Sequence, residues 1–198
     1  MSPVEIVVVG ASLGGLRALE SLLGALPSDF GPPIVVAQHR QADGTAGLDA
    51  LVAAFSPLPV QEVADRQPLR PGHVYLAPAD YHVIVERRAL ALSTEGPVAY
   101  ARPSIDVLFD SAAFVYAERV VGVVLTGASS DGAKGAAEIV RLGGQVIVED
   151  PQTARSPEAP RATLARIRPA AVGPIEELAA WLVRRVGCGR EVSWPVEL

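Results

Sequence analysis

Residues 5–15 read EIVVVGASLGG. Ile6, Val7, Val8 and Val9 form an unbroken β-branched run with no polar alternation. Such a run suits a strand buried on both faces, as in a parallel sheet. It stops at Gly10. Apolar residues then recur at helical spacing (Leu16, Leu19, Leu22, Leu23, Leu26) until Pro27. The spacing predicts a helix over residues 13–26. A buried strand that turns through glycines into an amphipathic helix opens an α/β fold.

The same alternation continues on either side of a different middle section. Residues 34–38 (IVVAQ), 60–63, 120–125 (VVGVVL) and 145–149 (QVIVE) read as strands. Residues 47–55, 104–116, 133–142, 160–165 and 175–186 read as helices. Ser104 is placed to cap the second of these, with Asp106 in its first turn. Gly143-Gly144 ends the third. Residues 72–76, 81–86 and 89–93 are short and strand-like, and the last two form a hairpin turning at Arg87-Arg88. The predicted fold is α/β: a mostly parallel, doubly wound sheet covered by helices on both faces, with a short antiparallel hairpin at one edge. No internal repeat or linker divides the chain, so residues 1–198 are read as one domain.

Composition narrows the function. Of the 198 residues, 49% are hydrophobic and 20% charged, which supports a packed core rather than a disordered chain. The net charge of −5 and the lack of a basic stripe argue against a nucleic-acid partner. Cys188 stands alone, so no intrachain disulfide can form, and a reducing compartment fits. With His39, His73 and His82 as the three histidines, the chain is poor in zinc ligands, and no metal or organic cofactor is expected. The N-terminus lacks a basic signal-peptide region, and no apolar run could span a bilayer. A cytoplasmic location without membrane insertion is the expectation.

In parallel sheets, sites form beyond the carboxyl ends of strands. The first strand leads into Gly10-Ala11-Ser12-Leu13-Gly14-Gly15. A dinucleotide fingerprint needs glycine where Ser12 stands. The segment instead fits G-x-S-x-G, which exposes a serine beside free helix N-terminal N–H groups. The competing reading is a glycine-rich turn whose serine caps the helix. The second strand ends at Gln38-His39, which puts a candidate base at the same edge; His82 competes for that role, and His73 reads as a turn residue. After the strand at 120–125, Asp131 stands between loop and helix. It is either the helix N-cap or a carboxylate that orients His39.

Taken together, GASLGG at 10–15, QH at 38–39, PGHVYLAPADYH at 71–82, RPSIDVLF at 102–109 and LTGASSDGA at 125–133 resemble the catalytic domain of bacterial chemotaxis protein-glutamate methylesterases. The blocks come in family order. The resemblance implies Ser12 as nucleophile, His39 as base and Asp131 as its orienter. It groups Leu13, Ala128, Arg102 and Ser104 as oxyanion or substrate-binding residues, with Ala128 acting through its backbone N–H. It implies methylated chemoreceptor helices as the partner, with glutamine deamidation open to the same chemistry.

The chain departs from the family pattern around these residues. It has Leu13 where the family commonly has Thr, Ala128 for Met, Ser129-Ser130 for Gly-Asn and Arg40-Gln41 for Met-Pro. These changes bear on substrate choice more than on the triad. Many members carry an N-terminal receiver domain. Here the first strand begins almost at once, so the expectation is no receiver, with regulation left to a separate protein. A non-catalytic binding module on the same fold, an esterase for another protein substrate and a nucleotide-binding protein are the alternatives.

Overall fold

The computed structural model describes residues 2–40 and 47–187. Cys188 and the C-terminal tail lie outside them. The chain runs β1 (Ile6–Ala11), α1 (Gly15–Gly24), β2 (Ile34–Gln38), α2 (Leu48–Ala53), β3 (Val60–Glu62), β4 (Gln67–Pro68), β5 (Val74–Leu76), β6 (His82–Glu86) and β7 (Ala89–Ser93). It continues with α3 (Ile105–Tyr116), β8 (Val120–Val124), α4 (Ala133–Arg141), β9 (Gln145–Glu149), α5 (Glu158–Leu164), β10 (Ala171–Gly173) and α6 (Ile175–Val186). Seven strands form one parallel sheet in the order β10-β9-β8-β1-β2-β5-β3.

The unbroken aliphatic runs serve both faces of this sheet. Successive side chains of a strand point to opposite sides. In β1, Val7, Val9 and Ala11 join a core with Leu19, Leu22 and Leu23 of α1 and Leu178 and Leu182 of α6. Ile6 and Val8 join a second core with Ile105, Leu108 and Phe109 of α3 and Ile139 of α4. A side chain buried this way contributes about 1.5–3 kcal/mol.

The chain extends from β1 toward β2 on one side and returns to place β8 on the other. The carboxyl ends of β1 and β8 therefore flank the point where the order of connection reverses, the usual location of a binding crevice in open parallel sheets. On the second face, α3 and α4 approach closely: a Cβ added at Gly135 would lie 2.5 Å from Cβ of Phe109.

The hairpin expected from residues 81–93 is present as β6 and β7. It is extended by β4 into a separate three-stranded antiparallel sheet, β4-β7-β6. Val83, Val85 and Leu90 pack into the core beside α3, so this small sheet is anchored by its own apolar face. Helix α1 begins at Gly15, two residues later than its periodicity suggests. Gly14 takes a φ of 86° as its N-cap, a conformation that favours glycine.

Candidate active site

Three strand ends deliver Ser12, His39 and Asp131 to one place. Ser12 follows β1, His39 follows β2, and Asp131 stands in the loop between β8 and α4. His39 Nδ1 lies 3.2 Å from Ser12 Oγ, and His39 Nε2 lies 2.7 Å from Asp131 Oδ2. With Asp131 ionised, Nε2–H donates to the carboxylate and Nδ1 is left as the acceptor facing the serine hydroxyl. The His39 side chain is 15% exposed and that of Asp131 fully covered, so the pair works largely out of water.

Asp131 is not the N-cap of α4; Gly132 holds that position with a φ of 97°. Its carboxylate instead closes the N-terminus of α3. Oδ2 accepts from the Ile105 N–H (2.7 Å), while Oδ1 accepts from the Asp106 N–H (3.0 Å) and the Ser104 hydroxyl (2.9 Å). Burial pushes its pKa up. The hydrogen bonds from His39, the two backbone N–H groups and Ser104 outweigh that and hold it below the ordinary carboxylate value. The anion that faces His39 is thus stabilised by the start of a helix.

Asp106 answers from the other side. Its Oδ1 accepts from the N–H groups of Gly132 (2.8 Å), Lys134 (3.0 Å) and Gly135 (2.8 Å) at the start of α4. Burial raises its pKa, and the neighbouring Asp131 adds to the rise, against the lowering effect of the three N–H groups. Sequence periodicity places Asp106 in a first helical turn. It does not show that its cap belongs to a different helix.

Several backbone contacts shape the turn that carries Ser12. The Ser12 N–H donates to the Thr126 carbonyl (3.0 Å), and the Thr126 hydroxyl donates to the Leu13 carbonyl (2.9 Å). The Thr126 N–H in turn donates to buried Glu149 (2.7 Å), whose pKa is raised by burial. Gly127 lies against Ser12: a Cβ there would fall 2.9 Å from Cβ of Ser12. The Gln38 side chain donates to the carbonyls of both Ser12 and His39, each at 2.9 Å. Gln38 was part of a matching motif in the sequence, but no role could be read from it there.

The other sequence candidates separate. Leu13 is 54% exposed beside Ser12 and lines a cavity of about 510 Å³ with Ser12, Gln38, His39 and Arg155. Arg102 lines a second cavity of about 490 Å³ on the other side of His39, with Arg40, Asp80 and Tyr100. There its guanidinium donates to Asp80 (2.9 Å) and to the carbonyls of Thr94 and Glu95. Ser104 is fully buried behind Asp131, so it braces the carboxylate rather than facing either cavity. Ala128 is exposed in the loop after β8. His82 is buried too, and it serves structure: Nδ1 accepts from the Ser104 N–H (3.1 Å) and Nε2 meets the Gly96 carbonyl (3.1 Å). His73 contacts the Pro71 carbonyl in a turn.

A serine, a histidine and a buried carboxylate in sequential contact at the carboxyl edge of a parallel sheet define the serine-hydrolase class of site. Comparison with known proteins narrows it. The family model described as CheB methylesterase matches residues 7–182, and the chain belongs to that family. A Leptospira interrogans relative is 36% identical over 181 residues, covering 91% of this chain and 94% of that protein. The protein-glutamate methylesterase/protein-glutamine glutaminase 1 of Rhodospirillum rubrum is 38% identical over 186 residues, 91% of this chain and 48% of that protein. The chain thus spans about half the length of some relatives and nearly all of others. The crystal structure of the Thermotoga maritima CheB methylesterase catalytic domain superimposes with a TM-score of 0.85 at 32% identity, covering 92% of this chain and 99% of that one. Among the described residues no helix is long and apolar enough to cross a membrane.

Proposed function

We propose that the protein hydrolyses the γ-methyl esters of glutamate side chains on the cytoplasmic helices of chemoreceptors, with Ser12 as nucleophile. The observation that carries this reading is the Ser12–His39–Asp131 chain of contacts in a member of the methylesterase family.

His39 Nδ1 takes the Ser12 proton as Oγ attacks the ester carbonyl. Asp131 holds the ring orientation and stabilises the imidazolium through Nε2–H. The developing oxyanion is met by the backbone N–H groups of Leu13 and Ala128. Methanol leaves with the proton returned by His39, giving a glutamyl-enzyme. Water, deprotonated by His39, then releases the glutamate and restores Ser12. The steps need no metal or organic cofactor. The same sequence of steps, with ammonia in place of methanol, deamidates glutamine, the second activity in the names of the relatives. The reaction belongs in the cytoplasm, where receptor helices carry these groups.

Leu13 and Arg102 line the cavities on either side of His39 and are the residues placed to select the substrate. Mass spectrometry of methylated receptor fragments tests the proposal. Time-dependent loss of methyl groups from glutamate supports it, and fragments that stay fully methylated contradict it.

A further inference from the structure

We infer that Gln38 is a positioning residue, which orients the Leu13 N–H toward the oxyanion and locks the nucleophile and base together. The inference rests on the reading of Ser12 as nucleophile. Gln38 is the last residue of β2, and its side-chain amide has two hydrogens. One goes to the Ser12 carbonyl and the other to the His39 carbonyl, each at 2.9 Å. One small planar group therefore bonds to the backbone of both residues that exchange the proton.

The Ser12 carbonyl also accepts from the Gly15 N–H at 2.8 Å, so two donors hold this oxygen. The Ser12–Leu13 peptide is planar and trans, and its N–H points opposite to its C=O. Fixing the carbonyl thus fixes the direction of the Leu13 N–H, the donor that follows the nucleophile in a nucleophile elbow. Nothing in this arrangement requires Gln38 to touch substrate.

The surroundings show what is given up to keep an amide here. Gln38 Oε1 is buried and has no hydrogen-bond partner among the described residues. An apolar side chain of the same length would avoid that cost. Gly15 makes room for the amide, since a Cβ there would sit 1.9 Å from Oε1. The site thus tolerates an unpaired oxygen in order to hold two N–H donors.

Gln38→Met keeps the length and removes both donors. The test measures methanol release from methylated receptor membranes by the full chain, together with inhibition by an alkyl boronic acid, which adds to serine as a tetrahedral mimic. The expected result is a fall in kcat of about tenfold to a hundredfold, with KM within about twofold and boronate affinity falling in parallel with kcat. A purely structural tie would lower the folded fraction and leave the boronate affinity of the folded protein unchanged; that result overturns the inference, as does wild-type kcat in the variant. If the Met variant fails to fold, Gln38→Leu removes both donors without adding a buried charge and is expected to show the same pattern. Ser12→Ala is measured alongside. Methanol release that survives Ser12→Ala overturns the nucleophile reading and this inference with it, whereas Ser12-dependent release unaffected at Gln38 overturns this inference alone.

Discussion

Asp131 and Asp106 cap each other's helices. Asp131 stands before α4 and accepts the first N–H groups of α3, while Asp106 in α3 accepts the first N–H groups of α4. The exchange pins the loop that carries Asp131 at both ends. The orientation of His39 therefore depends on a residue that does not touch it. Asp106→Ala leaves buried N–H groups of α4 without an acceptor and is expected to cost about 1–3 kcal/mol. It is also expected to lower kcat by loosening Asp131. Asp106→Asn retains an acceptor oxygen and should cost less on both counts. Urea unfolding and methanol-release kinetics of the two variants check this.

Asp131→Asn removes the carboxylate but keeps the shape. Its amide can offer His39 Nε2 a hydrogen instead of a lone pair, which favours the tautomer that cannot accept the Ser12 proton. A loss of about 10⁴ in kcat is expected, the scale of the same change in a serine-protease triad. Steady-state kinetics with a folded variant, verified by circular dichroism, is the measurement.

Gly127→Ala brings a methyl group 2.9 Å from Cβ of Ser12 and 3.2 Å from Cβ of Ala159. Ser12 must shift to admit it. A displacement of this kind costs about a hundredfold in rate. Overpacking of a tight site costs about 1–3 kcal/mol of stability. A kcat loss much larger than the change in folded fraction is the expected pattern.

Asp110 gives a pH test away from the site. Asp110 is exposed on α3, and partial desolvation, aided by Asp106, Glu138 and Asp131, raises its pKa to about 6. A raised carboxylate favours the fold below its unfolded value, near 4, and loses that contribution as pH rises through about 6. Asp110→Asn is therefore expected to raise Tm relative to wild type at pH 8 and to match it at pH 4. Asp131, whose pKa is lowered, acts in the opposite sense: its contribution is present at neutral pH and fades only as acid protonates it. Thermal melts from pH 8 down to about pH 2 separate the two: the Asp110 effect falls between about pH 6 and 4, and the Asp131 effect below it.

The sequence was most legible where one pattern dominates. The aliphatic runs of β1, β2, β8 and β9 announce a buried parallel sheet because burial on both faces leaves little freedom of composition. Strand ends then point to Ser12, His39 and Asp131. β10 was missed: residues 171–173 (AVG) are too short to show a period, and they pair with β9 because the sheet already exists. β4 has two residues and gains its strand geometry from β7. Gln38, Asp106 and Thr126 act by reaching across elements, which no local pattern reveals. The helix start at residue 13 was misplaced because Leu13 fits the apolar spacing, while Gly14 forces the turn that exposes Ser12.

The most direct test of the account is methanol release from methylated chemoreceptor membranes by wild type and by Ser12→Ala. Loss of a triad nucleophile lowers the rate by about 10⁶, so the variant is expected to release no methanol above the uncatalysed background while wild type turns over. Equal release by the two proteins, or none from folded wild type, would contradict the account.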